Sequence, residues 1–469
     1  MSPLSPASRE LALEWIKKLR SNLWGSVLPF WMSHSIDAVN GGFFNNLDED
    51  GTVFDTTKHV WLQGRQVWMF ARIANTYTED QISALTALYP APVPRVGGPS
   101  TPLALTRANL ISTAKAGVEF LRAHAYAPDG SVYFALTMEG APVLNQRKPF
   151  SAFFFVMALS EIARATGDMS YAAEAETLMD TICRWDSMPG GCEAALGKPS
   201  CPGAPALFPL NMPMIFLNVR REMIANQKHA SPESAAAYRS EVRERSIADV
   251  LAHVDAKRRA VFENVGPDGP DLSIPAGRLL NPGHAIEAAW FLLDEACSGE
   301  DSNPQVKQFV AERALEAMDI AWENGWDGDL GDGRIGIPSQ GNKVPGERGD
   351  HSFLSGSGSG GFIYFRDVAG FSPTLLEKNM KLWWPQAEAL IAFSKALAYT
   401  GDDKYMQSFD RVATWVWEFL VTDREWYGYA DRTGSVTHRF KGGPYKGCFH
   451  VPRALLYAEQ ALLEALERE

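Results

Sequence analysis

Apolar residues recur at helical spacing along most of the chain. In residues 8–33, Leu11, Trp15, Leu19 and Leu23 repeat every four positions, the stripe that one face of a helix buries. The same period predicts helices over 59–77, 106–125, 149–166, 171–185, 208–226, 231–254, 284–296, 304–323, 377–399, 403–420 and 448–466. They are of two kinds. Residues 150–159, with Phe153, Phe154 and Phe155 in a row, are apolar on every side, whereas 231–254 carries charge and belongs on an outer surface. A helix apolar all round must be enclosed, and an amphipathic one needs a neighbour on one side only. Alternation of the two kinds is what an inner and an outer ring of helices require.

The connections sharpen this. Residues 41–44 run through an acidic, Gly-containing turn into 48–53, and 130–134 into 139–143. Residues 360–365 and 426–436 have a similar form, and 261–269 is a weaker copy. An aromatic strand, a Gly/Asp turn and a second short strand predict a β-hairpin. The hairpins fall at irregular intervals, which excludes a solenoid of fixed period. Helix pairs joined on one side by aromatic hairpins predict an all-α (α/α)6 barrel. It would be one domain over residues 1–469, with Phe, Tyr and Trp crowding one mouth. The Pro/Gly-rich stretch 89–102 reads as a surface insertion between the second and third helices.

Composition removes several function classes. The 469 residues are 46% hydrophobic and 21% charged, with a net charge of -12 that argues against a nucleic-acid partner. No apolar run reaches the length of a membrane span. The five cysteines are odd in number and show neither metal-ligand spacing nor a disulfide framework, so a reducing, cytoplasmic setting without a metal is expected. Gly356, Gly358 and Gly361 satisfy G-x-G-x-x-G formally. They precede a strand, whereas the dinucleotide fingerprint sits between a strand and a helix.

The candidate chemistry lies at helix starts. His450 and Arg453 stand three residues apart at the start of the last helix, and His284 and Glu287 repeat that spacing. Two imidazoles, each with a charged partner one turn on, predict a two-base proton-transfer site. Glu287 would orient or charge-tune His284, and Arg453 would lower the pKa of His450 by repulsion. Trp61, Arg65 and Trp68 share a helix face. A guanidinium there needs either a carboxylate such as Glu388 or the oxygens of a sugar stacked on the aromatic wall. Pro385 suits a first helical turn, so Trp384 and Glu388 share a face and Gln386 lies nearly opposite.

These runs (41–44, 60–69, 203–205, 282–287, 381–388 and above all 441–453) resemble the N-acylglucosamine 2-epimerase family, whose mammalian members are also called renin-binding proteins. The resemblance spans nearly the whole chain. It implies an (α/α)6 barrel, often a homodimer, that interconverts N-acetylglucosamine and N-acetylmannosamine without a required cofactor, ATP acting as an activator that is not consumed. It implies His284 and His450 as the catalytic pair, with Arg65, Glu287, Glu388 and Arg453 in support and Trp61 and Trp384 against the sugar. Gln386 departs from the mammalian pattern, which has His after Trp-Trp-Pro, and is closer to the cellobiose-epimerase and mannose-isomerase branch. An epimerase of that branch, an aldose–ketose isomerase, a glycoside hydrolase with Glu287 and Glu388 as its acid pair (which would leave the paired histidines without a role) and a non-catalytic protease-binding protein are the alternatives.

Overall fold

The computed structural model describes residues 3–91, 104–198, 201, 203–227, 232–298, 303–328 and 359–468. Twelve helices carry the architecture. They are α1 (Pro6–Asn22), α2 (Val60–Thr76), α3 (Arg107–His124), α4 (Phe150–Thr166), α5 (Met169–Ser187) and α6 (Asn211–Gln227). The second half adds α7 (Pro232–Glu241), α8 (Pro282–Ser298), α9 (Pro304–Gly325), α10 (Trp383–Thr400), α11 (Asp403–Phe419) and α12 (His450–Leu466). The even-numbered helices pack side by side in chain order, and each odd-numbered one covers an even one from outside, α1 on α12 and α3 on α2 among them. Trp68 on α2 closes the ring, edge-on to Phe449 just before α12 and to Tyr457 on it. This is an (α/α)6 barrel.

The two kinds of helix sort as their patterns require. Inner α10 is buried at nearly every position, whereas outer α11 buries Tyr405, Phe409, Val412 and Val416 and shows Lys404, Gln407, Thr414 and Glu418 to water. Gly64 lets the two inner helices α2 and α4 touch, since a Cβ there would lie 2.5 Å from the Phe154 carbonyl oxygen. That contact explains a glycine inside a helix, which costs about 1 kcal/mol against alanine.

Two long helices divide. Residues 8–33 become α1, a π-turn at Leu23–Val27 and a short helix Leu28–His34. Pro29 supplies the cause: it has no N–H to give, and its ring would strike the carbonyl four residues earlier, so the turn widens. Residues 231–254 divide into α7, a π-turn at Val242–Ser246 and the helix Ile247–Leu251, a break that no proline marks. An unexpected helix, Glu79–Leu88, opens on a capping box between Thr78 and Gln81. Most of the 89–102 insertion lies outside the described residues, as do Gly356 and Gly358. Gly360 and Gly361 form a left-handed turn (φ +84° and +82°) against Trp326 and Trp415.

Three hairpins form as expected: Asn46–Leu47 with Val53–Asp55, Tyr133–Leu136 with Pro142–Asn145, and Tyr429–Ala430 with Val436–His438. The other two segments find distant partners. Asn264–Val265 pairs with Phe208–Pro209, and 360–365 contributes an isolated bridge from Phe362 to Trp326, the strand Arg366–Asp367 just beyond it pairing with Leu279–Leu280. The strands Lys58–His59, Phe208–Pro209, Leu279–Leu280 and Lys381–Leu382 lead directly into α2, α6, α8 and α10. The strands therefore tie together the N-terminal ends of inner helices, and the positive ends of their dipoles collect at that mouth. Deeper in the barrel, Arg72 on α2 pairs with Glu161 on α4 (2.9 Å) and with Glu222 on α6. Among the described residues, no helix is long and apolar enough to cross a membrane.

Candidate active site

The first turns of α8, α10 and α12 meet around one indole. The Trp384 ring lies 5.3 Å from that of His284 and 6.0 Å from that of His450, centre to centre. Gly283 makes room for it, since a Cβ there would stand 2.5 Å from the Trp384 ring. The two imidazoles, 166 residues apart in the chain, thus share one hollow.

Their surroundings drive them in opposite directions. His450 Nδ1 lies 2.7 Å from Glu388 Oε1, which places the proton on Nδ1 and leaves Nε2 as the free lone pair. Burial, then the positive charges of Arg65 and Arg453, hold its pKa well below the ordinary value, with Glu287 opposing in part. The expected repulsion by Arg453 is therefore present but third in order. His284 Nδ1 lies 2.9 and 3.0 Å from the two oxygens of Glu263. Burial works against its cation, but the charge and hydrogen bond of Glu263 outweigh burial, and the pKa is raised. Asn281 fixes the same residue from the backbone side, its Oδ1 accepting from the His284 N–H at 3.2 Å. His450 is thus biased toward the neutral imidazole and His284 toward the imidazolium.

Glu287 is consequently not the orienting partner of His284, although its charge is among those that raise the His284 pKa. It accepts from Arg453 Nη2 at 2.8 Å, and the same nitrogen donates to Glu388 Oε1 at 2.6 Å. One turn past His284, Glu287 meets α12, while the imidazole Nδ1 turns back toward Glu263 ahead of the helix. Trp290 completes the knot by donating Nε1 to Glu388 Oε2 at 2.9 Å. Glu287, Glu388 and His450 offer three ligand atoms within 4.8 Å of one another, a spacing a metal ion could use. Arg453 Nη2 already stands among them, 3.4 Å from His450 Nδ1, and supplies the cation.

Arg65 brings a buried guanidinium to this hollow. Its guanidinium sits 4.4 Å from the Trp61 ring, 4.1 Å from Phe154 and 4.9 Å from Phe449. Among the described residues it makes no ion pair, its Nε is shielded without a partner, and so is Trp61 Nε1. Burial pushes its pKa down to about 9. The ion pair with Glu388 does not form, because His450, Arg453 and Trp290 already take both carboxylate oxygens. Trp68 leaves the hollow and bonds Glu222 deeper in the barrel. Gln386 also points away: it is fully buried and clamps Phe362, accepting from its N–H and donating to its carbonyl, both at 2.8 Å.

A family profile described as N-acylglucosamine 2-epimerase (GlcNAc 2-epimerase) matches residues 42–87, 100–348 and 352–454. Human N-acylglucosamine 2-epimerase is 36% identical over 464 residues, 98% of this chain and 93% of that protein. The chain belongs to the N-acylglucosamine 2-epimerase family. Membership makes it an isomerase. A cellobiose 2-epimerase of Ruminococcus albus is more distant, 24% identical over 93% of this chain and 96% of that one. The solved structure of cellobiose 2-epimerase from Spirochaeta thermophila shares the barrel, with a TM-score of 0.69, 18% identity and coverage of 99% of this chain and 100% of that one.

For this epimerase, Glu263, Trp290, Phe154, Phe449 and Tyr364 were not singled out by sequence. Tyr364 packs edge-on to Trp384 at 5.9 Å. The signal for Glu263 was faint: an acidic residue in a segment that otherwise reads as a weak hairpin. Its role gives a pH prediction. Glu263→Gln removes the charge that favours the His284 imidazolium, so the His284 pKa falls. The alkaline limb of kcat/KM is expected to move to lower pH, with the acid limb, set by His450, in place. A pH–rate profile of the two proteins checks this, and an unmoved alkaline limb would count against the assignment.

Proposed function

We propose that this family member interconverts N-acetylglucosamine and N-acetylmannosamine by moving the proton on C2. The observation that carries the reading is the opposite bias of His450 and His284 on either side of Trp384. In the open-chain sugar, His450 Nε2 takes the C2 proton, and the electron pair passes into the C1 carbonyl to give an enolate that keeps the acetamido group on C2. Arg65, without a carboxylate of its own, donates to the developing oxyanion, the kind of preorganised stabilisation worth about 3 kcal/mol per donor. His284 then returns a proton to the other face of C2. The reverse direction uses the same pair with roles exchanged. Glu388 and Glu287 are bound by the same guanidinium, which leaves neither free to act as a glycosidase acid.

No cofactor takes part in these steps, and ATP is proposed as an activator that is not consumed. The whole chain is proposed to act as one barrel domain, a homodimer in the cytoplasm. Because Gln386 holds backbone rather than sugar, it gives no reason to prefer a cellobiose- or mannose-type substrate. Incubation with N-acetylmannosamine in D2O, followed by NMR, tests the reading. N-acetylglucosamine carrying deuterium at C2 is the expected product, made faster than any product from mannose or cellobiose. A ketose product, or turnover of cellobiose alone, would refute it. Adding ATP and measuring mass by light scattering in the same preparation tests the activator and the dimer.

A further inference from the structure

Outside the catalytic hollow a second arginine lies buried without a partner. Arg366 is 7% exposed and stands on the strand Arg366–Asp367, opposite Leu280. Among the described residues it makes no hydrogen bond or ion pair, and its Nε is completely shielded. The carboxylate whose charge reaches it, Asp327, is already engaged. Arg432 grips Asp327 through Nε and Nη2, both at 3.0 Å, and Lys381 Nζ adds a contact at 3.2 Å. Three other buried cations have a carboxylate: Lys58 has Asp37 at 2.7 Å, Lys446 has Glu425 at 3.1 Å, and Arg453 has two, whereas Lys441 has the Thr422 hydroxyl at 3.2 Å. A buried charge left alone costs several kcal/mol. The shielded Nε finds no acceptor, the Nη groups are not shielded in this way, and a guanidinium's rigid fork of N–H donors suits the three oxygens of a phosphoryl group.

We propose that Arg366 binds a phosphoryl oxyanion, in the field of Lys381 and Arg432. The site is placed to act on catalysis. The strand that carries Arg366 pairs with Leu279–Leu280, and Asp367 accepts from Arg278 Nε at 3.0 Å on the same pairing. The next residue, Asn281, caps α8 and fixes His284. An anion that steadies this strand pair steadies the catalytic acid, so occupancy is expected to raise kcat. That last step rests on the proposed epimerase reading, but binding itself does not.

Calorimetric titration of the full chain with inorganic phosphate and with ATP, at constant ionic strength, reads binding without turnover. The wild type is expected to bind saturably, and Arg366→Met at least tenfold more weakly. Arg366→Lys, which keeps the charge and loses the fork, should also bind at least tenfold more weakly. Tighter binding of ATP than of phosphate would assign a nucleotide tail; equal binding would assign free phosphate. In phosphate-free buffer Arg366→Met should melt no lower than the wild type, because it deletes an uncompensated charge. Absence of binding to the wild type, unchanged binding by Arg366→Met, or a melting point several degrees lower for that variant would each overturn the proposal. Loss of epimerase activity with phosphate binding intact would strike the proposed reaction and leave the anion site standing.

Discussion

Replacing His450 with Asn is expected to lower epimerisation at least about a thousandfold in both directions, the upper range for loss of a general base. Asparagine can still offer an N–H toward Glu388, so the fold should survive, with a melting point within a few degrees of the wild type. What disappears is the free Nε2 lone pair, and no neighbour can replace it. Glu388 accepts from His450, Arg453 and Trp290, and Glu287 is bound to Arg453. Steady-state rates from each sugar epimer check the result. Turnover above a tenth of wild type would place the base elsewhere.

Arg453→Met should produce the largest loss of stability. The guanidinium is buried and touches Glu287 and Glu388 at 2.8 and 2.6 Å. Its removal leaves two buried carboxylates without their shared cation, and breaking such a pair costs about 3–5 kcal/mol. The catalytic consequence follows from sign. His450 loses a repelling positive charge and gains uncompensated negative ones, so its pKa rises and the acid limb of kcat/KM moves to higher pH. Urea unfolding of the single variant, and of Arg453→Met combined with Glu287→Gln, measures the first effect. The double variant should recover part of the lost stability, because one of the two stranded charges is gone. Equal stability of Arg453→Met and wild type would show that the knot does not hold the barrel.

Helices and their alternation were legible because burial on all sides or on one side writes itself into a 3.6-residue period, as α10 and α11 show. The break near Leu23 was missed although Pro29 announced it, since a π-turn keeps the apolar stripe nearly in phase. Strand pairing was legible only where the partner lay across a turn. Phe208–Pro209 and Asn264–Val265 meet because the barrel brings two helix starts together, and nothing local encodes that. The same limit applies to the site. The rule of three residues placed Glu287 beside His284 on one helix face, and it cannot say that the imidazole nitrogen turns toward Glu263 instead. Gln386 was read correctly as facing away from Glu388. Its weight in choosing the sugar disappears once it is seen to hold the backbone of Phe362.

Whether two imidazoles attend one carbon is settled most directly by deuterium wash-in at C2, followed by NMR for His284→Asn and His450→Asn with each epimer in D2O. Each variant keeps one base and should exchange the C2 proton of one epimer only, and the two variants should choose opposite epimers. Exchange from the same epimer by both variants, or from both epimers by either, would contradict the arrangement around Trp384.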